Sequence, residues 1–403
     1  MSDSAIVIKA KPERKVFKAT KVTKIPDSLL NNTRLQAAIS VLPKNYNFEI
    51  PKAIWRIQEM NAKIVALQMP EGLLIFSTTI SDIIKEFSGA DSIIMGDVTY
   101  GACCIDDLTA KALGVELLIH YGHSCLVPSD QLSGIKILYI FVDIKIDPLH
   151  LIDTIKLNFK TSTKIALVST IQFVATIQAT NKKLKEMGYD ISVPQFKPLS
   201  PGEILGCTAP VLKCAEVLIY IGDGRFHLEA AIIANPLIQA YKYDPYSKEF
   251  TREYYNHVEM EKIRQDSIQK AVKVGTFGVI MGTLGRQGNL KVVDHLRKRL
   301  EAVEKQTVVI LLSEIFPNKL DLFRNIDAFV QIACPRLSID WGNAFRKPVV
   351  TPYEASIVVG DAKWHKEGSS YPMDFYANAS LGPWTPNHKP DADLVNKCCG
   401  KCV

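Results

Sequence analysis

IVALQMPEGLLIFSTTISDIIKEFSGADSIIM, residues 64–95, is the stretch that decides the fold. An apolar run over residues 64–69 has strand length and stops at Pro70-Glu71-Gly72. Residues 73–87 space their apolar side chains as a helix does, and residues 92–95 form a second apolar run. Strand, helix, strand in about thirty residues predicts a parallel pair with a crossover helix. The rhythm continues with a short helix over 108–113 and strands over 115–121 and 136–142. It restarts with a strand at 164–169, a helix at 173–187, a strand at 217–221, a helix at 226–234 and a strand at 237–241. A third round has a strand at 276–281, a helix at 290–304 and strands at 307–312 and 328–332. The predicted fold class is therefore α/β, with three similar parallel-sheet domains and ligand groups at the carboxyl ends of strands.

Around these rounds lie less regular parts. Residues 35–60 read as mostly helical, broken near Pro43 and Pro51, and residues 242–272 as a charged, largely helical connector. From Pro348 onward the chain is aromatic and Pro-rich, which predicts an extended strap over the core and then a loose tail. The expected division is a basic, partly disordered tail over 1–34, domains over 35–155, 156–255 and 256–375, and an extended tail over 376–403.

A chain of 403 residues needs more than one core, and 47% apolar residues can build several. The longest apolar runs fall well short of the ~20 residues of a membrane span. We expect a soluble, cytoplasmic protein. Nine cysteines, an odd number spread over a long chain, suit reduced thiols and metal ligation better than a disulfide framework. The net charge of +6 is mild and partly concentrated in the leading segment, at Lys9, Lys11, Arg14, Lys15, Lys18, Lys21 and Lys24. No direct nucleic-acid role is expected from it.

Each round carries one cysteine in a turn marked by glycine or proline: Cys103 in Tyr100-Gly-Ala-Cys103, Cys207 in Leu205-Gly-Cys-Thr-Ala-Pro210, and Cys334 in Ile332-Ala-Cys-Pro-Arg336. One buried cysteine is ordinarily a small hydrophobe. Three in equivalent turns could converge, fill all but one coordination position of a four-iron cubane and leave an open iron. Cys104 competes for the first position; Cys125 and Cys214 lack the turn context. Gly282-Thr-Leu-Gly285-Arg-Gln-Gly288 lies between strand and helix, where backbone amides can meet an anionic group or a ribose. Gly222-Asp-Gly-Arg-Phe-His227 holds the same place in the second round. His120 and His123 could line the cavity of Cys103, although a hydrogen-bonded core histidine is commoner. The terminal pair Cys399 and Cys402, next to Cys398, fits a redox accessory and an incidental tail equally.

Met69-Pro-Glu-Gly72, Gly96-Asp-Val-Thr-Tyr-Gly-Ala-Cys-Cys-Ile-Asp-Asp107, His120-Tyr-Gly-His123, Gly222-Asp-Gly-Arg-Phe-His227, Gly282-Thr-Leu-Gly-Arg-Gln-Gly288 and Cys334-Pro-Arg336 together resemble the diphthamide biosynthesis proteins, in particular the catalytic subunit of the eukaryotic enzyme. The resemblance runs over residues 35–374. It implies three domains arranged pseudo-threefold around a four-iron four-sulfur cluster, with Cys103, Cys207 and Cys334 as ligands. It implies a radical-type transfer of the 3-amino-3-carboxypropyl group of S-adenosylmethionine, the co-substrate, to a histidine of translation elongation factor 2. Gly282, Gly285, Arg286, Gln287 and Gly288 are candidates to bind S-adenosylmethionine, and Arg286 and Arg336 to meet its carboxylate. The implied partners are a related non-catalytic subunit, elongation factor 2 and a small metalloprotein that donates electrons. The supporting subunit lacks the middle cysteine, so Cys207 marks this chain as catalytic. The competing expectations are a quinolinate synthase-like iron–sulfur dehydratase and a non-catalytic cluster-bearing subunit.

Overall fold

The computed structural model describes residues 24–96, 105–122, 134–197, 199–284, 287–373 and 380–388. Cys103, Cys104, His123, Cys125, Gly285, Arg286, Cys398, Cys399 and Cys402 lie outside them. The first unit is α1 (Asp27–Leu30), α2 (Thr33–Ile39), β1 (Tyr46–Asn47), α3 (Ile50–Met60), β2 (Ile64–Gln68), α4 (Glu71–Leu74), α5 (Ser77–Ser88), β3 (Asp91–Met95), α6 (Asp107–Ala112), β4 (Leu117–Tyr121), β5 (Lys136–Ile140), β6 (Asp143–Ile144) and α7 (Leu149–Asn158). The second is β7 (Ile165–Ser169), α8 (Val174–Glu186), β8 (Ile191–Ser192), β9 (Val217–Ile221), α9 (Phe226–Ala234), β10 (Gln239–Tyr243) and β11 (Phe250–Glu253). The third is α10 (His257–Val272), β12 (Thr276–Gly282), α11 (Leu290–Ala302), β13 (Gln306–Leu312), α12 (Pro317–Asp321), β14 (Ala328–Ile332), α13 (Pro335–Trp341), β15 (Val349–Val350) and α14 (Pro352–Val358).

These strands form three main sheets, ordered β3-β2-β4-β5, β11-β10-β9-β7-β8 and β13-β12-β14-β15. Every pairing within them is parallel except β10 with β11. The central strands are apolar throughout: β4, β7, β9 and β14 are buried at every position, as sheets covered on both faces require. The first two units share one continuous core that includes Ile54, Leu67, Ile119, Leu167 and Ile219, whereas Phe277, Val279, Val330 and Trp384 centre a separate one.

Several expected elements differ. The helix over 73–87 is two helices, with the exposed Ile75 between them. The break expected near Pro43 and Pro51 falls at 40–49, between α2 and α3, and Pro51 itself sits in the first turn of α3, where its missing N–H costs nothing. The connector begins as a hairpin: Asp244 accepts from the amides of Tyr246 and Ser247, Lys248 takes a left-handed φ of 60°, and β11 returns along β10. The strap past Pro348 starts with β15 and α14, the latter opened by a reciprocal Thr351–Glu354 capping box. Beyond it Tyr371 and Trp384 are buried against Tyr353, as a strap over the core should be.

One fully buried ion pair ties the connector helix to this region. Arg264 of α10 donates Nε and Nη2 to the two carboxylate oxygens of Glu354 on α14, at 2.7 and 2.6 Å. Its guanidinium also reaches the Ser338 and Val349 carbonyls, both at 2.8 Å, and Tyr371 Oη donates to Glu354 at 2.5 Å. Burial disfavours the charge on Arg264, but Glu354 outweighs it and the guanidinium stays charged.

Candidate metal centre

Cys334 stands where β14 ends and α13 begins. Its backbone is extended, at φ −82° and ψ 119°, and Pro335 follows at the first helical position. Proline fixes its own φ and biases the preceding residue towards extended geometry, so the sequence Cys-Pro itself makes a sharp strand-to-helix turn. Gln331, fully buried in an otherwise apolar strand, bolts that turn down. Its Nε2 donates to the Cys334 carbonyl at 2.9 Å and to Ser338 Oγ at 3.1 Å, and its Oε1 accepts from the Ala333 amide at 3.1 Å. Gly282, at the end of the adjacent β12, lies so close that an added Cβ would sit 2.8 Å from Ala333 Cβ. A Cβ on Gly288 would collide with the Gly282 carbonyl and Met281. These two glycines are thus required by protein packing beside the Cys334 turn, whatever else they bind.

Cys207 occupies the tip of a two-residue hairpin turn, closed by Leu205 N to Thr208 O at 2.9 Å and Thr208 N to Leu205 O at 3.3 Å. The turn hangs from the carboxyl end of β7, where Ile204 N donates to Ser169 O at 2.9 Å. Gly206 has a physical reason to be glycine: a Cβ there would fall inside the Phe226 ring. Phe226 opens α9, directly after the Gly222-Asp-Gly-Arg turn at the end of β9.

Arg336, two residues past Cys334, joins the two turns. Its side chain is 2% exposed and its guanidinium carbon stands 4.4 Å from the centroid of the Phe226 ring. Nη1 donates to the Gly206 carbonyl at 3.3 Å and to the Phe226 carbonyl at 2.7 Å. Nη2 donates to Glu229 at 2.5 Å, and Nε to both oxygens of Asp340 at 2.9 and 3.0 Å. Burial opposes the charge of Arg336, and Asp340 and Glu229 more than offset that, so its pKa is raised. Burial also pushes Asp340 up, against the pull of Arg336. The residue after Cys334 but one therefore grips the peptide before Cys207. The turns that carry Cys207 and Cys334, on different sheets, are thus linked by an arginine whose every nitrogen is engaged. Most of the N–H groups of Arg336 thus face protein carbonyls and carboxylates, which gives this side chain a structural task beside the expected one of meeting a substrate carboxylate.

The first unit offers less. Cys103 follows β3 and precedes α6 in the chain and lies outside the described residues. Asp106 caps α6 by accepting from Thr109 N at 3.1 Å. His120 is buried at the end of β4 with Nδ1 3.0 Å from Gln68 Oε1 and its ring edge-on to Tyr139, which is the arrangement of a core histidine. In the second unit, Arg225 is occupied by Glu253 at 2.5 Å and the Tyr254 carbonyl at 2.9 Å. Cys214 is exposed. Among the described residues no group of three His, Cys, Asp or Glu side chains could hold a metal ion. The Cys207 and Cys334 thiols, soft donors presented on turns with small or φ-restricted neighbours, fit an iron–sulfur cluster better than a hard cation.

Sequence reasoning singled out the cysteines by their turns but missed Gln331 and the part Arg336 plays between the turns. A glutamine inside Ala-Phe-Val-Gln-Ile was a legible signal of a buried polar brace.

Comparison with known proteins is direct. Residues 69–369 match the family model described as "Putative diphthamide synthesis protein". The chain is 59% identical over 365 residues to 2-(3-amino-3-carboxypropyl)histidine synthase subunit 1 of Gallus gallus, covering 90% of this chain and 88% of that one. It is 58% identical over 369 residues to the Homo sapiens protein of the same name, covering 91% and 83%. The fold is similar to the crystal structure of Dph2 from Pyrococcus horikoshii, with TM-score 0.66 and 26% identity, and to that protein's structure with a 4Fe-4S cluster, with TM-score 0.67 and 25% identity. Both comparisons cover 83% of this chain and 97% of the other.

Proposed function

The chain belongs to the diphthamide synthesis protein family, and on that premise we propose that it is the transferring subunit of the first step of diphthamide biosynthesis. The reaction is the transfer of the 3-amino-3-carboxypropyl group of S-adenosylmethionine to a histidine of translation elongation factor 2, in the cytoplasm. Cys103, Cys207 and Cys334 hold a four-iron four-sulfur cluster, one from each of the domains over 35–155, 156–255 and 256–375, arranged pseudo-threefold around it. When bound, that cluster supplies the one electron that cleaves the sulfonium. The chain's own work is to bind, orient and shield. Gly282, Gly285, Arg286, Gln287 and Gly288 bind S-adenosylmethionine, with Arg286 meeting its carboxylate. A related non-catalytic subunit completes the enzyme, and a small metalloprotein delivers electrons.

The observation that carries this reading is the Arg336 bridge between the Cys207 and Cys334 turns. It is tested by oxygen-free reconstitution of wild type and Cys207→Ala together with the second subunit, reading iron content, the spin-resonance signal and methylthioadenosine release. The expected result is an S-adenosylmethionine-sensitive signal and product in wild type and loss of turnover in the variant. Unchanged turnover by Cys207→Ala refutes the ligand assignment, and a signal indifferent to S-adenosylmethionine refutes the transferase reading.

A further inference from the structure

Sheet edges expose rows of unpaired N–H and C=O groups, and proteins ordinarily guard them with charge, proline or brevity. Most edges here obey that rule. β8 and β15 have two residues each, and β11 carries the exposed Thr251 and Arg252. β3 and β5 have five residues, begin with an exposed Asp91 and Lys136, and expose no apolar side chain.

The exception is β13. It is the outer strand of the third sheet, seven residues long, Gln-Thr-Val-Val-Ile-Leu-Leu, with no charge and no proline. Val308 is 49% exposed, Val309 43% and Leu311 60%. Successive strand residues point to opposite faces, so exposure of both Val308 and Val309 means that both faces are open at this edge. After the strand in the chain, Phe316 and Leu322 are exposed as well, at 54% and 78%. Arg297 pairs with Glu301 on α11, and Lys319 of α12 with Glu314. A run of exposed apolar side chains along an open edge is the kind of surface a protein interface covers.

An occupant that satisfies this edge must supply strand hydrogen bonds along one line and apolar cover above and below it. A loose peptide supplies only the first. A second α/β subunit, with its own outer strand and flanking helices, supplies both. We propose that β13 is the edge on which the related subunit adds its sheet, strand to strand, so that one sheet runs across the heterodimer. This rests on the reading that the chain works beside a second subunit of its own family.

The test uses the full chain and a related subunit from the same source, co-expressed, with Val309→Lys/Leu311→Lys as the variant. Both side chains are exposed and outside the Cys207 and Cys334 turns, so the variant alone should melt as wild type does. We expect the wild-type pair to protect β13 amides from hydrogen exchange, and the variant to associate at least about a hundredfold more weakly. Exchange in β13 unaltered by the partner, or a variant that pairs as wild type does, overturns the inference while leaving the two-subunit reading intact. Self-association of this chain through β13 also overturns it, since the occupant would then be a second copy. Failure of the wild-type chains to associate at all overturns the two-subunit reading and this inference with it.

Discussion

Replacing Arg336 with alanine or lysine should uncouple the two cysteine turns. Alanine removes two hydrogen bonds to the carbonyls of Gly206 and Phe226, a cation packed on the Phe226 ring, and the counter-charge of Glu229 and Asp340. Breaking a buried pair by deleting one partner costs about 3–5 kcal/mol when the survivor stays buried. Here the surviving carboxylates are 23% and 25% exposed and can recover some hydration, which lowers the expected cost to about 2–4 kcal/mol. For a unit of this size that is a fall in Tm of roughly 5–10 °C. Lysine keeps the charge but cannot fork between two carbonyls and two carboxylates, so it should restore part of the stability and little of the geometry. Differential scanning calorimetry reads the first effect. Iron per chain after oxygen-free reconstitution, with the spin-resonance line shape, reads the second, and Arg336→Lys should lose iron out of proportion to its small loss in Tm. Arg336→Ala with wild-type iron content and a Tm within about 1 °C of wild type would refute the claim that this side chain sets the distance between the turns.

Two further outcomes follow from buried charge and from pH. Arg264→Met strands Glu354 in the core and should cost about 3–5 kcal/mol. Arg264→Met/Glu354→Leu should cost less than that single change, and chemical denaturation showing the double variant weaker than Arg264→Met would contradict the pairing. Burial pushes the His257 imidazole below its ordinary pKa despite nearby Glu261, and its Nε2 has no hydrogen-bond partner among the described residues. The folded chain therefore prefers neutral His257. Its contribution is complete above the ordinary imidazole value of about 6.5 and is lost as pH falls from there through the lowered folded pKa. His257→Gln should flatten Tm against pH between about 7.5 and 5; a slope equal to wild type in that range argues against it.

How much of this was readable beforehand depends on the range of the interaction. β9, α9 and β14 fall where the periodicity puts them, because a buried parallel strand needs an unbroken apolar run and little else could satisfy those residues. The hairpin at Asp244-Pro-Tyr-Ser and the cap at Thr351-Pro-Tyr-Glu354 carried local turn chemistry that a reading by charge and aromatic content passed over. α7 was missed in the same way, although Asp147-Pro148 announces it and the Asp147 carboxylate accepts from the Leu149 amide at 3.0 Å. Cys207 and Cys334 were legible as turn thiols because glycine and proline dictate backbone geometry on the spot. The task of Arg336 was not, since its partners Gly206, Phe226 and Glu229 are over a hundred residues away.

The seam between the Cys207 and Cys334 turns consists wholly of groups the polypeptide supplies: a guanidinium, a phenyl ring, two carbonyls and two carboxylates. Its contacts run from protein group to protein group, unlike those of a zinc finger, which collapses without its ion. Because protein contacts alone join the Cys207 and Cys334 turns, the proposed cluster would enter a seam already formed, and its loss would not by itself part the two turns.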